Sequence, residues 1–242
     1  MNTRKVAIFD VDGTIFRSSL LIELVEELIT REVFDEDIRE EYKAEHLLWL
    51  DRKGRYEEYI NSVIDVFAQH VKGVHYGDVK DAAEAVFERH KDRVYRYTRD
   101  MIRKLRKQDY YLLAISHSPK LIIDMFCEEW GFDKSYGTLY ALGAGDRFTG
   151  ERMEEHLIFN KGATARRAIE KEGLSFEGSV GIGDTESDIG FLELVENPIC
   201  FNPNALLERH ARLNGWKVVV ERKDVVYELL EPVHNLSGIL YP

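Results

Sequence analysis

Six side chains that could act on a charged substrate lie at or near the ends of short apolar segments, or at the start of a helical one. They are Asp10, Asp12, Ser116, Lys161, Asp184 and Asp188. In an open α/β sheet, ligands bind beyond the carboxyl ends of the strands, so these side chains are expected to meet at one place. Four carboxylates brought together would repel one another strongly unless a divalent cation compensated their charge.

The residue types in this set predict a metal-dependent reaction on an anionic substrate. A hard cation such as Mg²⁺ fits a ligand set made only of oxygens. One hydroxyl, from Ser116, and one ammonium group, from Lys161, would stand beside the carboxylates. This combination indicates a phosphoryl group that bridges the metal and the lysine.

Alternating helical and apolar segments predict the elements that position these residues. From residue 98 onward, amphipathic helical stretches alternate with short apolar runs, and the run at residues 6–9 belongs to the same set. Such alternation is typical of a mainly parallel sheet with helices on both faces. We therefore expect an α/β fold with a doubly wound, Rossmann-like sheet. The glycine-rich turns in "YGTLYALGAGDRFTGERM" predict an antiparallel hairpin within it.

Residues 17–92 differ from the rest of the chain in rhythm and in charge. In "YEEYINSVIDVFAQHV" the apolar residues from Tyr56 to Val71 recur at helical spacing, and similar stripes predict about four helices in this segment. The segment holds 19 acidic and 11 basic residues. We expect it to be a helical cap inserted into an α/β core made of residues 1–16 and 93–242.

Composition excludes several kinds of partner. The net charge of −11 argues against nucleic acid and anionic lipid, which select for basic surfaces. No segment approaches the roughly 20 apolar residues of a membrane span, and the N-terminus shows no cleavage site of a signal peptide. We expect a cytoplasmic protein with no membrane partner and with Cys127 and Cys200 as buried thiols. The sequence leaves the oligomeric state open.

Four motifs of this sequence resemble those of the haloacid dehalogenase superfamily, in the same order and at similar spacing. They are "DVDGTI", "LLAISHS", "NKGATARRA" and "GIGDTESDIGFL". The helical insertion between the first two motifs, together with "SHSPKLI" and the "NKG" lysine, is similar to the phosphoserine-phosphatase-like branch.

The resemblance implies a role for each catalytic residue. Asp10 would attack phosphorus to form an aspartyl-phosphate. Asp12 would protonate the leaving oxygen and then take a proton from the hydrolytic water. Ser116 would hydrogen-bond the phosphoryl oxygens, and Lys161 would balance charge on the phosphate and the nucleophile.

The resemblance also implies a metal site and a phosphate-binding backbone. Mg²⁺ would be held by Asp10, by the backbone carbonyl of Asp12 and by Asp184, with Asp188 reaching it directly or through water. Gly13 would let backbone N–H groups approach the phosphate. His117 would either lend a backbone N–H to the phosphate or serve in packing.

Three positions bear on the substrate or on nearby structure. Phosphoserine phosphatases typically carry a substrate-reading glutamate where this chain has Ser19, so phosphoserine is expected to be a poor substrate. Arg17 and Arg55 remain candidates for reading an acidic substrate tail. Ser118, which precedes a proline, is predicted to be a helix N-cap.

The function that these inferences favour is Mg²⁺-dependent hydrolysis of a phosphomonoester, with a small soluble metabolite phosphate as the substrate. A phosphotransferase or phosphomutase would share the phosphorylated aspartate and differ only in the acceptor. A non-catalytic phosphate-binding module is the alternative from another class. A dehalogenase is disfavoured because Asp12 would then have no leaving oxygen to protonate.

Overall fold

A computed structural model describes residues 4–153 and 160–229, and its framework is one eight-stranded sheet. The strands are β1 (Lys5–Phe9), β2 (Tyr111–Pro119), β3 (Lys134–Leu142), β4 (Phe148–Met153), β5 (Ser175–Gly183), β6 (Asn197–Phe201), β7 (Lys217–Arg222) and β8 (Val225–Leu229). Their order is β4-β3-β2-β1-β5-β6-β7-β8, and only the outermost pair on each side is antiparallel. The predicted α/β class with a mainly parallel sheet is confirmed, and β3 with β4 forms the predicted hairpin.

Four of the described helices lie within residues 17–92, the segment predicted to be inserted. They are α1 (Leu20–Thr30), α2 (Ile38–Leu50), α3 (Tyr56–His70) and α4 (Tyr76–His90). In α3 the apolar stripe anticipated from the spacing is buried at Tyr59, Val63 and Phe67. The amphipathic pattern therefore orients this helix toward the interior.

Five further helices among the described residues cover the two faces of the sheet. They are α5 (Arg96–Lys107), α6 (Lys120–Glu129), α7 (Lys161–Glu172), α8 (Ile189–Leu192) and α9 (Ala205–Asn214). Successive side chains of a strand point to opposite faces. Ala7 and Phe9 of β1 accordingly pack with α5 and α6, while Val6 and Ile8 pack with α7, α8 and α9. β1 is thus buried on both faces, which explains its continuous apolar sequence.

The chain leaves the sheet region after β1 and returns before α5 through two adjacent segments. Phe16 pairs with Val94 in an isolated antiparallel bridge. The N–H of Tyr95 donates to the carbonyl of Ile15 at 2.9 Å, and the N–H of Arg17 donates to the carbonyl of Arg93 at 2.9 Å. These backbone contacts hold together the segment that leads into the four inserted helices and the segment that leads out of them. No helix in the described part of the chain is long and apolar enough to cross a membrane.

Candidate active site

A buried lysine links two carboxylates at the carboxyl ends of β1 and β5. Asp10 follows β1 directly, and its N–H donates to the carbonyl of Ile182 on β5 at 2.9 Å. Lys161, the first residue of α7, is only 3% exposed. Its Nζ lies 2.7 Å from Oδ1 of Asp10 and 2.6 Å from Oδ1 of Asp188. Burial alone would lower the pKa of Lys161, but Asp10 and Asp188 outweigh it and raise the pKa, so the ammonium form is retained.

The second carboxylate oxygen of Asp10 is free. Oδ2 is buried and has no hydrogen-bond partner among the described residues. Burial raises the pKa of Asp10 to about 7, although Lys161 opposes the rise. A buried polar atom without a partner is costly, so this oxygen marks a position for a ligand or a reacting atom.

Asp184 sits against the loop that follows β1 because residue 13 is glycine. Gly13 has φ of 82°, and a Cβ there would lie 2.1 Å from Oδ2 of Asp184. The N–H of Gly13 donates to the carbonyls of Phe16 and Ser18, at 2.9 and 3.0 Å. The N–H of Gly13 is therefore engaged within the loop, and the approach of other backbone N–H groups to a phosphate stays a prediction. The small size of the glycine also admits the Asp184 carboxylate.

Both carboxylate oxygens of Asp188 accept hydrogen bonds from neighbouring residues. Oδ1 accepts the bond from Lys161, and Oδ2 accepts from the N–H groups of Asp184 and Thr185 at 2.9 and 3.1 Å. Gly183 makes this possible, since a Cβ there would lie 2.5 Å from the Asp188 side chain. Because both oxygens already accept hydrogen bonds, Asp188 is well placed to orient Lys161 and the loop at Asp184.

The three carboxylates fit a divalent cation. Asp10, Asp184 and Asp188 each offer one oxygen, and these oxygens lie within 4.8 Å of one another. Burial raises the pKa of Asp184 well above its usual range, with Asp10 and Asp188 adding to the rise. A bound cation would remove this repulsion. An all-oxygen set of this kind suits Mg²⁺.

Asp12 does not join that cluster through its carboxylate and has its own hydrogen bonds. Oδ1 accepts from the N–H of Leu20 at 2.5 Å, and Oδ2 accepts from the hydroxyl of Ser116 at 2.6 Å. Burial raises the pKa of Asp12, whereas the bonds from Ser116 and Leu20 lower it. The net upward shift of the Asp12 pKa favours the protonated carboxyl that a general acid needs.

The C-terminal end of β2 places three residues near Asp12. Ser116 is fully buried and accepts a 3.0 Å hydrogen bond from the N–H of Ser118. Ser118 was predicted to be the N-cap of α6, and this prediction is wrong because Pro119 occupies that position. The hydroxyl of Ser118 accepts from the N–H of Leu21 at 3.2 Å, because the first helix of the insertion docks here. His117 lines the same small pocket as Asp10 and Asp12, and its carbonyl accepts a hydrogen bond from the hydroxyl of Thr138 at 2.6 Å.

These residues surround a pocket of about 40 Å³, which we call the catalytic pocket. Asp10, Asp12, His117, Lys161 and Asp184 form its floor and sides.

The start of α3 covers the catalytic pocket with two residues that the sequence analysis did not propose for the site, Tyr56 and Glu57. Burial raises the pKa of the Tyr56 hydroxyl well above its usual range, so it stays protonated beside Asp12. Tyr56 had been counted in the apolar stripe of α3, and the sequence carried no signal for this second role.

A larger cavity of about 790 Å³, the outer cavity, adjoins the catalytic pocket at Tyr56 and Asp184. Arg17 lies in its wall with its guanidinium 5.7 Å from the ring centre of Tyr95. Arg55 does not line it and pairs with Glu58 at 3.1 Å. Ser19 lines the catalytic pocket and is buried, so no carboxylate stands at that position.

Replacing Lys161 by methionine tests the charge balance of this cluster. We expect turnover to fall about 10²- to 10³-fold, because one preorganised cation at a developing negative charge is lost. Two buried carboxylates would also lose their cation, which is expected to cost about 3–5 kcal/mol of stability. Steady-state kinetics and thermal unfolding measure the two effects. Lys171→Met, at the exposed end of α7, is the matched control and should change neither. Near-normal turnover in the Lys161 variant would contradict the assignment.

The sequence is similar to a known family of hydrolases and to a named phosphatase. A family model described as "haloacid dehalogenase-like hydrolase" matches residues 7–193. A protein named "Histidinol-phosphatase" from Neisseria meningitidis serogroup C (strain 8013) is 29% identical over 111 residues. That alignment covers 44% of this chain and 50% of the relative, so the chain spans about half of the relative's length.

Solved structures share the fold at low sequence identity. A structure titled as a phospho-aspartyl intermediate analogue of phosphoserine phosphatase has a TM-score of 0.64 at 19% identity, and the match covers 92% of this chain and 96% of that one. A Bordetella pertussis Tohama I protein titled as having unknown function has a TM-score of 0.70 at 19% identity, with 90% and 98% covered. These matches extend the similarity of fold over nearly the whole chain.

Proposed function

Because this chain belongs to the haloacid dehalogenase-like hydrolase family, we propose that it hydrolyses a small-molecule phosphomonoester through a phosphorylated Asp10. The resemblance drawn from its four motifs is thereby confirmed at the level of the family. One observation carries the proposal of mechanism: the buried Oδ2 of Asp10 is unpartnered, while Oδ1 is held by Lys161 and the Asp12 carboxyl borders the same pocket. The phosphatase names of several relatives support this class of reaction.

In the first step, the free oxygen of Asp10 attacks phosphorus, and the bond to the leaving alcohol oxygen breaks. Lys161 orients the Asp10 carboxylate and neutralises charge that accumulates on the phosphoryl oxygens. The raised pKa of Asp12 favours a carboxyl that carries a proton and can give it to the leaving oxygen. The alcohol then departs, and the phosphoryl group remains on Asp10.

In the second step, water attacks the phosphorylated Asp10, and Asp12, now ionised, takes the proton of that water. The hydrogen bonds from Leu20 and Ser116 hold the Asp12 carboxylate in place while its charge changes. Inorganic phosphate leaves, and the enzyme returns to its starting state. If an alcohol took the place of this water, the same residues would catalyse phosphoryl transfer to that alcohol. Release of inorganic phosphate distinguishes the hydrolase from such a phosphotransferase.

Asp10, Asp184 and the backbone carbonyl of Asp12 would hold Mg²⁺, and Asp188 would reach it directly or through water. When bound, the cation supplies positive charge to the phosphoryl oxygens and to the clustered carboxylates.

We further propose that residues 17–92 act as a cap over the site. Tyr56 and Glu57 on α3 line the catalytic pocket, and the two connections between this segment and the core pair at Phe16 and Val94.

The metal requirement gives the direct test of this function. Across a panel of metabolite phosphates, we expect Mg²⁺ to support release of inorganic phosphate and a chelator to abolish it. Full activity in excess chelator would contradict the proposal.

The same assay should show a pH-dependent metal affinity. With no cation bound, the Asp10 carboxyl has a pKa of about 7, so below that pH it is protonated and the metal must displace a proton. The Mg²⁺ concentration for half-maximal activity should therefore rise as the pH falls from 8 to 6. An activation constant that does not change over this range would contradict the assigned ligands.

A further inference from the structure

The catalytic pocket has room for a phosphoryl group but not for a complete substrate. Its volume of about 40 Å³ is only a few times the space that one water molecule requires. The leaving group must therefore lie beyond it. The outer cavity, of about 790 Å³, is within the usual size range of small-molecule sites and shares Tyr56 and Asp184 with the catalytic pocket. A third cavity, around Trp216 and Lys217, shares no residue with the catalytic pocket.

Aromatic rings from α2 and α3 form one wall of the outer cavity. His46 stacks on Tyr59 with ring centres 4.6 Å apart, and Trp49 stacks on Tyr59 at 5.7 Å. Trp49 also lies 5.4 Å from Tyr56, the residue that separates the outer cavity from the catalytic pocket. Trp49 is only partly buried, so it presents ring surface to the cavity next to the reacting group.

The carboxylates in the wall of α1 and α2 are already neutralised. Glu26 accepts hydrogen bonds from Arg39 at 2.8 Å and from the hydroxyl of Tyr42 at 2.7 Å. Glu40 accepts from Lys43 at 2.7 Å. Both carboxylates are thus paired with neighbouring side chains, and the same cavity is lined by the rings of His46, Trp49, Tyr56 and Tyr59.

We propose that the outer cavity binds the leaving group of the substrate, and that this group is an alcohol carrying a planar ring. The inference rests on the proposed phosphatase activity. Stacked or edge-on packing against Trp49 and Tyr56 would hold the ring and thereby place the ester oxygen at the catalytic pocket.

Three esters of similar leaving-group basicity test the proposal: ethyl phosphate, 2-cyclohexylethyl phosphate and 2-phenylethyl phosphate. All are primary alkyl phosphates, so the chemical step is the same and only the group in the outer cavity differs. We expect kcat/KM to be at least about tenfold higher for the phenyl ester than for ethyl phosphate, and several-fold higher than for the cyclohexyl ester.

Variants of Trp49 connect the preference to this wall. Trp49→Leu keeps an apolar side chain but removes the ring, so the ratio of kcat/KM for the phenyl and cyclohexyl esters should fall close to one. Trp49→Phe should retain part of the ratio. Leu47→Gln is the matched control, because Leu47 lies on the same helix, is 51% exposed and does not line the cavity.

The outcomes separate this inference from the function on which it rests. Turnover of all three esters with equal kcat/KM, or an unchanged phenyl-to-cyclohexyl ratio in Trp49→Leu, would overturn the ring proposal and leave the phosphatase proposal standing. No phosphate release from any ester in the presence of Mg²⁺, or from the metabolite panel, would overturn both.

Discussion

Replacing Asp10 by asparagine is expected to abolish both phosphate release and formation of the phosphoenzyme. The substitution preserves size but removes the nucleophilic oxygen that would bond to phosphorus. Turnover should fall by about 10⁴-fold or more, as for other residues that act as part of a catalytic unit. Phosphate release measures turnover, and mass spectrometry of acid-quenched protein detects a covalently bound phosphoryl group.

The wild-type chain and a second variant control this experiment. Wild-type protein quenched during turnover should carry the phosphoryl group on Asp10. Asp100→Asn changes an exposed aspartate of α5 and should leave phosphate release and phosphoenzyme unaltered. A phosphorylated Asp10→Asn protein would show that another residue is the nucleophile, and the mechanism proposed above would be wrong.

Replacing Asp12 by asparagine should slow turnover in a way that depends on the leaving group. For an alkyl phosphate, whose departing oxygen needs a proton, we expect a loss of about 10²- to 10⁴-fold. An activated aryl phosphate leaves as a weakly basic phenolate, so phosphorylation of Asp10 should be much less affected. Single-turnover measurements with both esters separate this step from the later attack of water.

The two steps give this variant a distinctive signature. With an aryl phosphate, Asp12→Asn should accumulate the phosphoenzyme, because the residue that takes a proton from the hydrolytic water is missing. Equal slowing of alcohol or phenol release from the two esters would contradict the general-acid role. A Ser116→Ala variant, which removes the hydroxyl that donates to Asp12, measures the effect of losing that hydrogen bond alone.

The sequence determined the architecture and most of the charged cluster. Alternating apolar runs and amphipathic helices predict a mainly parallel sheet, because helices on both faces of such a sheet bury a strand such as β1 on both sides. Once the sheet is parallel, residues that follow its strands must converge at one edge. That rule was enough to anticipate that Asp10 and Asp184 would meet.

Lys161 was predicted from its motif and not from its position in the helix. A lysine at the start of a helix is usually solvated, and position alone would not predict its burial. The order of the four motifs pointed to it, and the structure buries it between Asp10 and Asp188.

Only the tertiary structure decided what covers the site. Helical spacing placed Tyr56, Tyr59 and Val63 on one face of α3, but periodicity does not say which partner each end of that face will meet. Docking of the inserted helices put Tyr56 and Glu57 over the catalytic pocket and gave the hydroxyl of Ser118 a partner in Leu21. The outer cavity likewise depends on how α2 packs on α3 and α3 packs on α1, because contacts between residues far apart in sequence set that arrangement and no local pattern encodes them.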